Sequence, residues 1–206
     1  MFEKERELFK GFHSALELNP VFLNEFLGAC TAVNQRYNTA IFENRFIVGG
    51  VVEQLLGAAM RGVGIEIDNV AKTSRGVDLF APALNVGLSV KAQFKRGPEF
   101  RLVNTMGGSG ATAVWDHATI FIVVGIGIGY ADPELASSGL VARSDVLVLK
   151  TEALKELWTA NPRYLIECDV PAKPDDSGLS RVASDVVAQD IMIDFRNLLT
   201  HYRPER

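Results

Sequence analysis

Apolar residues in the first sixty positions recur at three- and four-residue spacing, and beyond that the period drops to two. Phe2, Leu8, Phe9, Phe12, Leu16 and Leu18 mark one face of a first helix. The Asn19-Pro20 pair stops it, because proline has no N–H to give the helix ladder. Pro20 then serves as the first-turn proline of a second helix, predicted to run to about Tyr37. A third helix is predicted from Phe42 to Gly62 or Gly64, carrying Phe46, Ile47, Val51, Val52, Leu55, Leu56 and Met60. After it, Ile65-Glu66-Ile67-Asp68 and Gly76-Val77-Asp78-Leu79-Phe80 alternate, and residues 84–94 form a longer strand. Turn formers at 73–76 and 81–83 join these strands into an antiparallel meander. Residues 118–124 are continuously apolar, as a central buried strand requires. Strands at 145–150 and 164–170 flank a helix at 151–160, a polar loop covers 173–178, and Ser180 caps a last helix through about Leu199. The pattern predicts an α/β fold of the α+β kind: helices first, then one mixed sheet that starts as a meander.

Composition narrows the class. At 206 residues, 48% apolar and 22% charged, the chain reads as one globular domain, with 1–40 as N-terminal helices and 42–125 holding the core. Its 21 Lys+Arg against 25 Asp+Glu give a formal charge of -4, which excludes grip on a polyanion by overall basicity. A local basic groove stays open, because only the contact surface has to match. Two cysteines, Cys30 and Cys168, exclude a disulfide scaffold and a zinc knuckle and point to a reducing compartment. The charged opening residues lack the apolar stretch of a signal peptide, and residues 118–130 are too short and glycine-rich to span a bilayer. A cytoplasmic protein is the expectation.

Candidate chemistry sits where polar residues interrupt apolar elements. In Leu88-Ser89-Val90-Lys91-Ala92-Gln93-Phe94, alternation puts Ser89, Lys91 and Gln93 on one face and Val90, Ala92 and Phe94 on the other. A lysine in such a strand needs a partner, since an unpaired buried charge is expensive. Asp78 is the one ionised residue of the neighbouring strand. Glu53 lies in the third helix with Gly49, Gly50 and Gly57 on its face. Each glycine weakens a helix by roughly 1 kcal/mol relative to alanine, so such a face implies that another backbone approaches closely.

A helical glutamate, an aspartate on one strand and a lysine on the next resemble the PD-(D/E)xK nuclease superfamily. The flanks Glu43-Asn44-Arg45-Phe46 and Arg101-Leu102-Val103-Asn104-Thr105-Met106-Gly107 resemble those of small type II restriction endonucleases. In topology the resemblance covers residues 42–125 and implies a restriction-endonuclease-like mixed sheet. It implies a Mg²⁺-dependent endodeoxyribonuclease in bacterial or archaeal cytoplasm, cutting double-stranded DNA as a homodimer with the first two helices as interface. Glu53, Asp78, Lys91 and Gln93 would be catalytic. Glu53, Asp78 and the Val90 carbonyl would hold the metal, Lys91 would orient the attacking water, and Gln93 would bond water or a phosphate oxygen. Two positions depart from the pattern: Val77 replaces the proline, and Ser89 replaces the second acid, which Glu53 would then supply.

The stretch from Lys91 to Arg101 holds four cations and one anion, so a phosphate-tracking surface is expected beside the site. Lys95, Arg96, Arg101 and Asn104 are the DNA-contact candidates, the last three being side-chain types that pair with base edges. The competing readings are a structural Asp78–Lys91 ion pair within a plain binding module, and a DNA-binding protein whose catalytic site has decayed at Ser89. Residues 125–129 lack the dinucleotide fingerprint and read as a strand end or bulge, 107–110 lack the P-loop lysine, and His13, His117 and His201 show no ligand spacing. Ser89 has no His or Asp partner placed for nucleophilic work. Trp115 and Trp158 are expected in the core.

Overall fold

The computed structural model describes residues 1–37, 42–70, 77–104, 114–143 and 146–173, and of residues 42, 43, 103 and 104 the backbone alone. The expected loop at 174–178, the expected last helix, His201 and the glycines at 107–110 lie outside these residues. Three helices come first: α1 (Glu3–Leu18), α2 (Pro20–Arg36), with Pro20 in its first turn, and α3 (Phe42–Gly62). The exit from α3 is a glycine cap. Gly64 has a φ of 87°, its N–H donates to the Arg61 carbonyl, and the Ile65 N–H donates to Met60. Those bonds occupy the chain just where alternation predicts a strand, so pairing starts only at β1 (Asp68–Asn69).

β1 is followed by β2 (Leu79–Ala81), β3 (Val86–Gln93), β4 (Glu99–Asn104), β5 (Thr119–Val123), β6 (Gly127–Ala131), β7 (Leu140–Ala142), β8 (Val146–Lys150), α4 (Thr151–Ala160) and β9 (Leu165–Glu167). They form two sheets rather than the one expected. A six-stranded mixed sheet runs β1-β2-β3-β5-β6-β9, with β3 and β5 parallel and the other pairs antiparallel. A three-stranded antiparallel sheet runs β4-β8-β7. The predicted meander is β1-β2-β3, and the continuous apolar run is β5, buried at every position. Of the Gly125–Gly129 stretch, Gly125 and Ile126 lie in the turn and Gly127 to Gly129 open β6, so the strand-end reading holds. Gly129 sits directly under the Trp158 ring and has no room for a side chain.

The faces of the large sheet carry different cover. Val90, Ile120 and Tyr130 are register neighbours, and Tyr130 stacks at 5.6 Å on Phe9 of α1. Lys91, Phe121 and Gly129 line the opposite face, where Phe121 packs against Phe100 of β4 and Trp158 of α4. Trp115 also meets Phe121, so both tryptophans are core residues as expected. Buried residues from Phe2 to Val170 belong to one hydrophobic cluster, and full burial of each large side chain such as Phe9 or Phe12 is worth about 1.5–3 kcal/mol. Most apolar residues of α1 and α2 are covered within the chain, while Leu18 and Val21 at the helix junction stay exposed. Burial pushes the Cys30 thiol well above its ordinary range and that of Cys168 up to about 11, which leaves both unreactive. No described helix is long and apolar enough to cross a membrane.

One polar cluster fastens α1 to the sheet. Asp132 is fully buried and accepts from Arg6 Nε (2.7 Å) and Nη2 (2.9 Å), the Tyr130 hydroxyl, and the Glu134 and Leu135 N–H groups. Its bonds raise the Arg6 pKa, and burial together with that carboxylate raises the Tyr130 pKa. Such a set is tolerable because every lone pair is used. Removing one member leaves a buried charge unmatched. Arg6→Ala is expected to destabilise the fold by about 3 kcal/mol, read as a lower urea midpoint, whereas Lys10→Ala, whose pair with Glu7 is exposed, moves it by less than about 1 kcal/mol.

Candidate functional site

Asp78 lies one residue before β2 and is held at three points. Its carbonyl accepts from Val70 N–H (3.0 Å), and its N–H donates to the Leu88 carbonyl (2.9 Å). Its carboxylate Oδ2 accepts from Val90 N–H (2.7 Å) and from the Ser89 hydroxyl (3.0 Å). Leu88 is also the register partner of Leu79, so Asp78 and Leu79 both face one residue of β3, a bulge-like arrangement that re-aims the chain. The carboxylate thus stands where the next backbone acceptor of β2 would be. Oδ1 has no hydrogen-bond partner among the described residues.

The main chain of β3 fixes what faces this carboxylate. Ser89 N–H and the Gln93 carbonyl both bond toward β5. By alternation, the N–H and C=O of Val90 point the other way, toward the β2 side of the strand, where Asp78 meets the N–H. Lys91 follows, half-buried, with neither hydrogen bond nor ion pair among the described residues. The structural ion pair with Asp78 is not formed. Gln93 is differently placed: its Nε2 donates to the Glu99 carbonyl (3.2 Å), tying β3 to β4, and its Oε1 is buried without a partner among the described residues.

Glu53 comes from the helix layer on the Val90 side of the sheet. Asn69 of β1 links it to Asp78, for Asn69 Nδ2 donates to the Glu53 carbonyl (3.0 Å) and the next residue, Val70, donates to the Asp78 carbonyl. Arg61 completes the link through Asn69 Oδ1 (3.1 Å) and the Ile67 carbonyl. The glycine face has a different cause from the one expected. Among the described residues the atoms nearest this face belong to side chains. A Cβ at Gly57 would lie 2.6 Å from Asn69 Oδ1, one at Gly50 meets nothing within 4 Å, and one at Gly49 would touch only Glu53 Oε1. The Glu53 carboxylate therefore lies back along its own helix.

The basic segment is split by the fold. Lys95 and Arg96 are exposed in the turn after β3, and Arg101 is exposed on β4, which pairs with β8 and not with β3. Asn104 ends β4, and its side chain lies outside the described residues. The one acid of the segment, Glu99, is gripped by both guanidinium nitrogens of Arg143 (2.8 and 2.7 Å). Arg143, Lys155 and Lys173 join this surface from afar, the last through its N–H on the Phe94 carbonyl. No sequence signal announces them, because they are 44 or more residues from the segments they meet.

A metal would find oxygen donors in Asp78 Oδ1 and the Val90 carbonyl, while the Glu53 carboxylate lies beside Gly49 and would have to swing from its helix to join them. Among the described residues no group of three or more His, Cys, Asp or Glu could hold an ion. A set of few carboxylates plus a carbonyl fits Mg²⁺, which keeps several waters, and not a four-ligand zinc site. No protein-family model, curated protein or solved structure matches the chain.

The glycine contacts give a direct test of the α3–β1 junction. Gly50→Ala is expected to stabilise by about 0.5–1 kcal/mol, since the helix gains and nothing is displaced. Gly57→Ala is expected to destabilise by about 1–3 kcal/mol through collision with Asn69. Thermal unfolding of the two variants should therefore move in opposite directions.

Proposed function

We propose that the chain is a metal-dependent endodeoxyribonuclease that hydrolyses phosphodiester bonds in double-stranded DNA, of the type II restriction kind, acting in bacterial or archaeal cytoplasm. The observation that carries the reading is a rigid, half-committed carboxylate close in the fold to a lysine that has no hydrogen bond or ion pair among the described residues. Asp78 has one oxygen fixed by Val90 N–H and Ser89 and the other without a partner among the described residues. Lys91 follows Val90 directly in the strand. Phosphodiester hydrolysis needs the phosphate charge offset, a water deprotonated near neutral pH and the leaving oxygen stabilised.

Asp78, Glu53 and the Val90 carbonyl would hold Mg²⁺. When bound, it supplies charge neutralisation and a more acidic water. Lys91 orients the attacking water, steadies its developing hydroxide and offsets phosphate charge. Lys95, Arg96, Arg101 and Asn104 track the duplex, aided by Arg143, which masks the acid of that segment. Two chains, each with one site, cut the two strands, so the working unit is a homodimer.

The Ser89–Asp78 bond favours one second reading. A hydroxyl in place of the second acid spends half of the Asp78 carboxylate on a hydrogen bond, and a DNA-binding protein on the same fold would tolerate that without cleaving. Incubation with plasmid DNA and Mg²⁺ separates the two. Discrete fragments support the nuclease, and salt-sensitive binding without cleavage supports the second reading. Lys91→Ala is expected to lower cleavage by about 10²–10⁴-fold with folding and DNA binding retained, and wild-type cleavage by that variant refutes the mechanism. Glu53→Gln is expected to raise the Mg²⁺ concentration needed for half-maximal cleavage. An unchanged requirement would show that another residue supplies the second carboxylate.

A further inference from the structure

A cavity of about 260 Å³ lies at the carboxyl ends of β3 and β5, between Gln93, the Arg96-Gly97 turn, Gly125 and the first turns of α4 with Thr151 and Lys155. Resting on the nuclease reading, we propose that this cavity holds the phosphate of a single nucleotide unit next to the bond being cut. Position supports it first. β3 and β5 are parallel neighbours, and the crevice beyond the carboxyl ends of parallel strands is where such sheets take ligands. Gln93 stands two residues past Lys91 on the same side of β3, roughly 7 Å along the strand.

Charge supports it next. Among the described residues no acidic side chain lines the cavity, and two cations, Arg96 and Lys155, do. The Arg96 guanidinium lies over Gly125, with Nη2 3.2 Å from where a Cβ would stand, and it has no hydrogen bond or ion pair among the described residues. Among the described residues Lys155 pairs with exposed Glu152 at 3.2 Å, a surface contact that a phosphate can displace. The adjoining recess, about 720 Å³, shares Lys155 but carries Glu167 and Asp169. That contrast sends an anion to the Arg96 side. Size then limits the ligand. The volume falls just under the roughly 300–1,000 Å³ of drug-sized pockets, which suits one nucleotide and excludes a base pair.

The test is calorimetric titration of the full chain, without divalent metal, using deoxyadenosine 5′-monophosphate, inorganic phosphate and a short single-stranded oligonucleotide in separate arms. Saturable nucleotide binding is expected, weakened about tenfold or more by Lys155→Glu and unchanged by Lys4→Ala, whose ammonium bonds the Leu84 carbonyl on another part of the surface. Tighter binding of the oligonucleotide than of the mononucleotide assigns the pocket to a strand. The reverse order assigns it to a free nucleotide and overturns the link to cleavage. Phosphate binding as tight as the nucleotide's overturns the nucleotide claim, and absence of binding, or wild-type binding by Lys155→Glu, overturns the pocket itself. Because metal is omitted, failure here leaves the Lys91→Ala cleavage result intact. Failure of cleavage with nucleotide binding retained removes the nuclease and keeps the pocket.

Discussion

The bond from Val90 N–H to Asp78 Oδ2 is the constraint on which the candidate site depends. A strand that ends in the middle of a sheet leaves its neighbour with unmatched backbone groups, and each such group is costly when removed from water. Here β2 begins only at Leu79, and the Asp78 side chain takes over the acceptor role that a longer strand's backbone would have filled. Two consequences follow together. The Asp78 carboxylate loses its freedom, and the Val90 carbonyl points to the same side of β3 as the N–H that holds it. A rigid acid and a backbone oxygen brought together at a strand end are what a hard cation needs from a protein. The same contact that completes the sheet also prepares the proposed chemistry.

The sheet itself decides how the remaining groups can meet. Val90 faces the α1 layer and Lys91 faces the layer of β4 and α4, so a helical acid and a strand lysine start on opposite sides. They can converge only at the sheet margin, where no strand lies between them. Asp78 occupies that margin, and Asn69 pins α3 to it through the Glu53 carbonyl. Gly57 is small because the Asn69 side chain fills the space its Cβ would need. The backbone of Glu53 is thus fixed close to the margin, while its carboxylate lies along the helix beside Gly49. The acid is anchored at its root and its tip is turned away.

Period and punctuation carried most of the fold. Pro20, the meander and the apolar run of β5 behave as their local chemistry dictates. What escaped the sequence was pairing at a distance. In β4 the alternation of Glu99-Phe100-Arg101-Leu102 is short and breaks at Val103, where the register shifts, and the strand exists because β8 supplies its hydrogen bonds. β6 is hidden by glycines whose reason is the Trp158 ring, far away in α4. The site divides in the same way. Asp78, Lys91 and Glu53 stand out because each is a charge in an apolar element, whereas Asn69 and Lys155 are ordinary polar residues until the fold gives them neighbours.

Charge shows why a total misleads. The formal -4 of the chain is an average, and the fold sorts its terms unevenly. Asp132 and Arg6 neutralise each other in the interior, and Glu99 is spent on Arg143. Lys95, Arg96 and Arg101 are left exposed, and Lys155 arrives beside Arg96 from another element. Glu167 and Asp169 line the next recess together with Lys155, so acids and cations stand in adjoining cavities. A polyanion responds to that local arrangement and not to the sum, since beyond about 10 Å salt screens the rest. A mildly acidic protein can therefore present a cationic edge where the proposed reaction needs one.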